Sequence, residues 1–161
     1  MTRFLICILW ITIASCSSKQ KIEDESIAFV INYAQSYSYD LQKQAYTVFS
    51  YLNRDTTVHF NLTNQEKKKI IHKYYDLDLD ELEGKLRIED ECLTMPKLYT
   101  TLIVKSKSQT QEFIIDEDCK DYKSKFVSQG KRVSAFLEVV RNVLKEKPEI
   151  KKAPTSEIMY L

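Results

Sequence analysis

Glycine is almost absent from this sequence, since 161 residues contain only Gly84 and Gly130. Loops that bind nucleotide phosphates need several closely spaced glycines, because a side chain would keep the backbone away from the phosphate. Neither the pattern GxGxxG nor the pattern GxxxxGK followed by Ser or Thr occurs in the chain. The scarcity of glycine therefore excludes the common nucleotide-binding architectures.

An excess of one charge sign is also missing, since 24 lysines and arginines face 23 aspartates and glutamates. A near-zero net charge argues against a general nucleic-acid binder, which needs a surplus of positive charge. The two signs are unevenly distributed. Residues 76–91 hold eight carboxylates and two cations, whereas residues 120–152 hold ten cations and four carboxylates. We predict that both stretches are solvated surfaces, with docking of a charged partner as the alternative.

The N-terminal apolar run is too short to cross a membrane. After a basic start at Arg3, residues 4–14 form an uncharged run of eleven residues, whereas a transmembrane helix needs about 20. The run has the length of the apolar region in a secretory signal peptide, which is roughly 7–15 residues. The sequence therefore predicts export, with this run as part of a removable signal.

The run ends in Ile13-Ala14-Ser15-Cys16, an aliphatic residue and two small residues before a cysteine. This order resembles the lipobox of bacterial lipoproteins. The resemblance implies that residues 1–15 are a lipoprotein signal peptide and that the thiol of Cys16 carries a lipid such as palmitate. Serine rather than aspartate at position 17 is similar to lipoproteins released to the outer membrane. The alternative is a soluble exported protein in which Cys16 is incidental.

The residues after the cysteine are polar. Residues 17–26 contain a single apolar side chain, Ile22, and a segment with so little to bury does not join a core. We therefore predict that residues 16–26 form the lipidated cysteine and a flexible tether. The remaining residues, 27–161, have the length of one domain, and we predict a single one.

The periodicity of the apolar residues predicts both strands and helices. Alternating large side chains predict a strand over residues 27–34, for which a helix is the competing interpretation. Segments rich in β-branched and aromatic residues predict further strands at residues 45–51, 57–62, 99–105 and 112–115. Thr63-Asn64-Gln65-Glu66 matches a capping box and predicts the start of a helix. A second helix is predicted by apolar residues at helical spacing: Val133, Phe136, Leu137, Val140 and Leu144.

These elements occur in the order strands, helix, strands, helix. Antiparallel strands with helices gathered on one face make a two-layer α+β fold. We therefore predict an antiparallel sheet with two helices on one face. This layout is similar to that of small uncharacterised lipoproteins of the Bacteroidota, a resemblance that implies no activity.

The acidic segment DLDLDELEG, residues 76–84, suggests a calcium loop, because oxygen ligands at positions 1, 3 and 5 begin an EF-hand. An EF-hand also needs glycine at position 6 and glutamate at position 12. Here those positions hold Glu81 and Arg87, so the match fails. The segment remains a candidate only for a calcium site of another kind, formed by Asp76, Asp78 and Asp80.

The chain has two histidines, His59 and His72, and we predict that both are exposed. A zinc site that combines them with Cys92 and Cys119 lacks the close paired spacing of structural zinc ligands. Neither histidine lies near a GxSxG nucleophile motif, although a catalytic triad is defined by geometry rather than by spacing. A hydrolase with an unrecognised site therefore remains an alternative.

Cys92 and Cys119 are the cysteines left once Cys7 leaves with the signal and Cys16 is lipidated. Each follows an acidic stretch, and neighbouring carboxylates raise the pKa of a thiol, which disfavours the thiolate that catalysis needs. In an oxidising envelope, an even pair is more simply explained by a disulfide. We therefore predict that Cys92 and Cys119 are joined.

Half of the ten tyrosines lie within a short stretch: Tyr33, Tyr37, Tyr39, Tyr46 and Tyr51. We predict that they form cross-strand pairs on a half-buried sheet. An aromatic surface that stacks on sugars or on a partner chain is the alternative. Separately, Asp55-Thr56-Thr57 resembles the short O-glycosylation motif of secreted Bacteroidota proteins, which makes Thr56 a candidate for modification.

The sequence contains no catalytic signature, and we predict neither an enzyme nor a cofactor. The hypothesis is a lipid-anchored protein of the cell envelope, attached to the outer membrane, that acts as a binding or structural module. This hypothesis allows an unknown protein partner and predicts that the protein does not bind nucleic acid. An inhibitor or immunity-type protein, which uses the acidic segment against a basic partner, is an alternative form of this hypothesis.

Overall fold

The computed structural model describes residues 26–50, 53–82, 84–93 and 95–156. The predicted signal peptide, the lipobox Ile13-Ala14-Ser15-Cys16 and most of the tether lie outside the described residues, as does Tyr51. The predictions of lipidation and of the domain boundary therefore stay predictions.

The described residues form seven strands and three α-helices. The strands are β1 (Ala28–Tyr33), β2 (Tyr37–Asp40), β3 (Ala45–Val48), β4 (Thr56–His59), β5 (Lys85–Arg87), β6 (Tyr99–Lys105) and β7 (Thr110–Asp116). The helices are α1 (Asn64–Asp76), α2 (Val127–Leu144) and α3 (Pro148–Lys151). The strands join into one sheet in the spatial order β4-β3-β2-β1-β6-β7-β5, which places β1 at its centre.

Strand β1 shows why the alternating pattern produces a strand rather than the competing helix. Phe29, Ile31 and Tyr33 are each at most 8% exposed, and side chains two residues apart on a strand share one face. The ring of Phe29 packs against Tyr74 of α1 and Phe136 of α2, with centroid distances of 5.5 and 5.2 Å. One face of the sheet is therefore covered by both long helices, and the predicted α+β class is confirmed.

Both predicted helices are present. At the start of α1, the side chain of Thr63 accepts the backbone N–H of Glu66 at 3.2 Å, and the carboxylate of Glu66 accepts the backbone N–H of Thr63 at 2.8 Å. These two hydrogen bonds are the predicted capping box. Along α2, the predicted apolar stripe is at most 2% exposed. The helix begins at Val127, before the stripe.

The sheet differs from the prediction in three respects. It is mixed rather than wholly antiparallel, because β5 pairs with β7 in parallel. Strands β2 and β5 have no counterpart among the predicted elements, and the short helix α3 follows the two long ones. Parallel neighbours need a crossover rather than a tight turn. The chain provides that crossover between β5 and β7 by passing through β6.

Candidate functional site

Hydrogen bonds to backbone carbonyls hold the acidic segment, described over residues 76–82, against the sheet. Gln111 of β7 is fully buried and donates its side-chain amide to two of these carbonyls, each at 2.9 Å. Arg132 of α2 donates to two more, and Gln109 donates to a fifth at 3.2 Å. The accepting carbonyls are those of Leu77, Asp78, Leu79, Asp80 and Leu82. The acidic segment is therefore built into the fold.

The calcium candidates Asp76, Asp78 and Asp80 belong to this acidic segment. Asp78 lies 4.0 Å from the guanidinium of Arg132, and that positive charge opposes a cation at the same place. Within the described residues, the three aspartates do not form a group of ligand atoms close enough to hold one ion. Such a group occurs elsewhere in the described part of the chain, at Asp90, Cys92 and Cys119.

Two members of that group are joined to each other. Cys92 and Cys119 form a disulfide with their Cα atoms 6.0 Å apart, within the range that a disulfide spans. The bond connects the segment before β6 to the segment after β7. Asp90 supports it, because one carboxylate oxygen accepts the N–H of Cys92 at 3.0 Å and also pairs with Lys97. The predicted disulfide is confirmed.

The histidines and the glycosylation candidate lie on the surface. His59 on β4 and His72 on α1 are both exposed, as predicted. Thr56 is also exposed and begins β4, an edge strand of the sheet. This position makes its hydroxyl accessible, and its modification stays a prediction.

Four of the predicted tyrosines form a continuous layer on the face of the sheet that the helices cover: Tyr33, Tyr37, Tyr39 and Tyr46. Across neighbouring strands, Tyr33 opposes Tyr37 and Tyr39 opposes Tyr46. The ring centroids of these two pairs are 4.8 and 4.7 Å apart. The predicted cross-strand pairing is therefore confirmed for these four residues.

A cleft of about 530 Å³ opens at one edge of this layer, a volume within the range of roughly 300–1,000 Å³ that small-molecule sites occupy. We call it the tyrosine cleft. It lies where β1 ends and β6 begins, between the turn after β1, the segment after β7 and the outer side of α2. Its lining is Tyr33, Ala34, Ser36, Tyr37, Leu98, Thr100, Glu117, Asp118, Lys120, Ser134, Glu138, Arg141 and Asn142.

An incompletely paired carboxylate lies in this lining. One oxygen of Glu117, Oε1, accepts a hydrogen bond from the guanidinium of Arg141. The other, Oε2, is buried and has no hydrogen-bond partner within the described residues. Buried polar atoms without a partner are uncommon, because each costs about 1–3 kcal/mol. Because Oε2 is enclosed by protein atoms, the charged groups of this cleft that a ligand can reach are the exposed ones, such as Asp118 and Arg141.

Arg141 connects this carboxylate to the aromatic wall. Its guanidinium carbon lies 5.7 Å from the ring centroid of Tyr33, within the range of a cation–π contact. Burial raises the pKa of Tyr33 and, to a smaller extent, the charge of Glu117 raises it further, while Arg141 lowers it. Burial likewise raises the pKa of Tyr37. Both phenols are therefore protonated at neutral pH, and each hydroxyl can donate as well as accept a hydrogen bond.

Two other clefts differ in their chemistry. One of about 650 Å³ lies near the same end of the sheet and is lined in part by Asn32, Phe49, Tyr99 and Thr101. Another, of about 150 Å³, lies between α1 and the sheet. Each has one charged lining residue, a lysine, and neither includes a carboxylate or a histidine. Only the tyrosine cleft, among these three, combines acidic, basic and aromatic groups.

Glu117 and Arg141 were not predicted as site residues. In sequence, Glu117 belongs to the acidic stretch before Cys119, which predicts a raised thiol pKa, and Arg141 belongs to the lysine- and arginine-rich region for which a solvated surface is predicted. The sequence of α2 does indicate that Arg141 lies beside the core, because Arg141 directly follows Val140 of the buried apolar stripe. Which carboxylate it would reach depends on the packing of α2 against β7.

Comparisons with protein-family models, with curated proteins and with solved structures gave no match for this chain. In the described residues, none of the helices combines the length and the apolar character needed to cross a membrane.

Proposed function

We propose that this chain is a lipid-anchored protein of the cell envelope whose domain binds a ligand in the tyrosine cleft. The observation that carries the binding proposal is a cleft of ligand size whose lining combines carboxylates, cations and tyrosine rings. The anchoring proposal rests on the order of residues from the basic start to Cys16. The disulfide supports it, because such bonds persist in oxidising compartments outside the cytosol.

Binding explains the lining of the cleft better than hydrolysis does. The lining residues include neither histidine nor cysteine, so the usual base and one usual nucleophile are not at hand. The hydroxyl of Ser134 is engaged with the hydroxyl of Tyr122 at 2.6 Å. The carboxylate of Glu117 is oriented by Arg141. These groups suit a site that holds a ligand by hydrogen bonds.

The anchor is tested by metabolic labelling with a palmitate analogue. We expect label on the wild type and on Cys7→Ala, and no label on Cys16→Ala, because only the thiol of Cys16 receives the lipid. Cys7→Ala is a matched control, since it removes a thiol from the same apolar run. Equal label on the wild type and on Cys16→Ala would remove the anchoring proposal.

The binding site is tested by native mass spectrometry of the full-length protein purified from envelopes. Asn142→Trp places a bulky ring in the cleft lining, while Lys131→Trp places it on an exposed position of α2 outside that lining. We expect a bound species on the wild type and on Lys131→Trp but not on Asn142→Trp. A bound species that survives in all three proteins, or occurs in none, contradicts binding in the tyrosine cleft.

An inhibitor or immunity-type role is a second candidate, favoured by two exposed apolar side chains. Leu93 is 96% exposed and Met95 is 83% exposed, and both lie close to the disulfide in sequence. Large exposed apolar side chains are frequent in protein-binding surfaces. In this role, Leu93→Asp combined with Met95→Asp abolishes inhibition of the partner, measured as its residual activity. Unchanged inhibition by this double variant excludes the role for these residues.

A further inference from the structure

We propose that the small cavity between α1 and the sheet, here called the α1 pocket, binds an aliphatic monocarboxylate, that is, a carboxylate attached to a short apolar chain. The α1 pocket lies where β1 begins, whereas the tyrosine cleft lies where β1 ends, and the two share no lining residue. A ligand of the α1 pocket is therefore additional to the ligand of the tyrosine cleft, and this site is independent of the proposed function.

The interior of the α1 pocket is apolar. Five of its lining side chains are each at most 8% exposed: Ile27, Phe29, Leu41, Leu62 and Ile70. The half-buried side chain of Ile71 adds to this apolar surface. The volume of the pocket is about 150 Å³, and a cavity of that size lined by similar side chains can hold benzene. The pocket therefore has room for an apolar group of about six carbon atoms.

The exposed part of the lining provides hydrogen-bond donors and one positive charge. Three exposed residues complete the lining: Ser26, Gln42 and Lys67. The amide of Gln42 and the ammonium of Lys67 both carry N–H donors. Lys67 lies four residues before Ile71 on α1, so the two side chains share one face of the helix. The stem of a lysine can follow an apolar surface while its charge stays at the solvent. The rim of the pocket therefore suits a negatively charged acceptor.

The charge of Lys67 is not compensated within the described residues. No carboxylate belongs to the described lining of the α1 pocket. The described carboxylates that neighbour the lining in sequence are engaged elsewhere, since Asp40 pairs with Lys43 at 3.4 Å and Glu66 pairs with Lys147 at 2.6 Å. Lys67 forms no ion pair in the part of the chain that the structure describes. An anion at the rim is therefore attracted by an unpaired positive charge.

Of the simple ligand classes, only an anion with an apolar chain matches both parts of the pocket. An inorganic anion pairs with Lys67 but leaves the apolar interior unfilled. A hydrocarbon or an alcohol fills the interior but leaves the charge of Lys67 uncompensated. An organic cation fills the interior and meets a like charge at the rim, which is unfavourable. A carboxylate with a short aliphatic chain buries the chain and presents its oxygens to Lys67 and Gln42.

The test is a titration of the full-length protein in phosphatidylcholine nanodiscs, followed by methyl NMR of its isoleucines, with empty nanodiscs as the blank for each probe. The probes are butanoate, hexanoate and octanoate, with hexanol and hexylammonium as matched compounds that differ in the polar group. Binding in the α1 pocket should shift the methyl signals of Ile27, Ile70 and Ile71 and leave those of Ile103 and Ile114, which lie outside the lining, unchanged.

We expect the affinity to rise about fourfold for each methylene added from butanoate to hexanoate, because each methylene is buried. The rise should be smaller from hexanoate to octanoate, whose chain exceeds the room in the pocket. Hexylammonium should bind at least about tenfold more weakly than hexanoate, because it cannot accept a hydrogen bond from a charged donor. Hexanoate that leaves the isoleucines of the pocket unshifted, or that binds no more tightly than hexylammonium, overturns the inference.

Variants connect the two parts of the ligand to the residues. Lys67→Gln should weaken hexanoate by about tenfold and leave the affinity for hexanol unchanged, because only the carboxylate uses the charge. Lys68→Gln is the matched control, since Lys68 is exposed and lies outside the lining. Ile71→Trp should abolish binding of both compounds by filling the pocket, whereas His72→Trp, at an exposed position outside the lining, should not. Unchanged hexanoate affinity in Lys67→Gln overturns the assignment of a carboxylate.

The carboxylates of residues 23–25, which directly precede Ser26 in sequence, provide a further test. Hexanoate should bind the combined variant Glu23→Gln, Asp24→Asn and Glu25→Gln as it binds the wild type. Binding that is detected only in this variant would show that the chain supplies its own anion to Lys67, and would overturn the proposal of a free monocarboxylate.

Discussion

The acidic segment, residues 76–82, and the end of β7 with the turn after it, residues 116–118, are both rich in carboxylates but differ in how their polar atoms are satisfied. In the acidic segment, Gln109, Gln111 and Arg132 donate to five backbone carbonyls. In the turn after β7, Arg141 satisfies one oxygen of Glu117, and the other is buried without a partner in the described residues. The acidic segment is therefore a structural part of the fold, whereas the turn after β7 forms part of the lining of the tyrosine cleft.

The two regions also differ in how they are attached to the sheet. The acidic segment is held by side-chain hydrogen bonds from β7 and α2, whereas the turn after β7 leads directly to Cys119 and its disulfide with Cys92. A covalent bond beside the tyrosine cleft limits the movement of one of its walls. We therefore expect that removing the disulfide disturbs mainly the turn after β7, and that removing the side-chain amide of Gln111 disturbs mainly the acidic segment.

Removing the disulfide should have the largest effect. For Cys92→Ala combined with Cys119→Ala, we expect the free energy of unfolding to fall by roughly 3.5 kcal/mol, because a bond between residues 27 apart in sequence no longer restricts the unfolded chain. Chemical denaturation measures the change. Amide hydrogen exchange should increase more at residues 116–120 than at residues 77–82. An equal increase in both regions would show that the disulfide does not distinguish them.

Gln111→Leu should have the next largest effect on the free energy of unfolding, and this substitution acts on the acidic segment. The substitution leaves two carbonyls of the acidic segment and the hydroxyl of Tyr74 without their partner, and we expect a loss of about 3 kcal/mol of unfolding free energy. Tyr74→Phe is the control, because it removes only one of these hydrogen bonds and should cost about 1 kcal/mol. Denaturant unfolding that gives the same loss for both variants contradicts the structural role of Gln111.

Alkaline pH should destabilise the fold through its buried tyrosines. Burial raises the pKa of Tyr33 and Tyr39 in the fold. A raised folded pKa contributes stability that is fully present below the unfolded value of about 10 and is lost as the pH rises toward the folded value. For each tyrosine that stays protonated in the fold, the slope is about 1.4 kcal/mol per pH unit. Tyr33→Phe should reduce the slope measured by urea unfolding, and an identical slope excludes Tyr33 as a contributor.

Neutralising the acidic segment should have the smallest effect. Changing Asp76, Asp78 and Asp80 to Asn should alter the unfolding free energy by less than about 0.5 kcal/mol for each residue. Asn is also tolerated at Asp78, whose φ of 48° lies in the left-handed region. Thermal melts with and without calcium check the prediction. A calcium-dependent rise in the melting temperature that the triple variant loses would establish a metal site in this segment.

Several elements were readable from the sequence because their signals are local. The capping box at Thr63 needs only Glu66 three residues later, and the stripe on α2 needs only its own spacing. Strand β2 was not readable. It follows a tight turn in which Ala34 and Gln35 adopt φ values of 41° and 60°, and such turns are normally signalled by glycine, asparagine or aspartate. Strand β5, with three residues, is too short to show a period.

The candidate site also contains one feature that the sequence predicted, the disulfide, and one that it did not, the cleft. The pairing of Cys92 with Cys119 followed from counting the cysteines left after the predicted processing. The pairing of Glu117 with Arg141 did not follow from the sequence, because Glu138 and Glu146 lie much closer to Arg141 in the chain than Glu117 does. It depends on α2 packing across the end of β7.

By itself, the sequence of this protein determined the α+β class, both long helices, most of the strands and the disulfide, because each depends on residues near one another in the chain or on a small set of cysteines. Only the tertiary structure decided that the acidic segment is a structural part of the fold and that Glu117 and Arg141 line one cleft. Whether a polar atom is satisfied depends on the donors that packing brings within about 3 Å of it, and those donors come from distant parts of the chain.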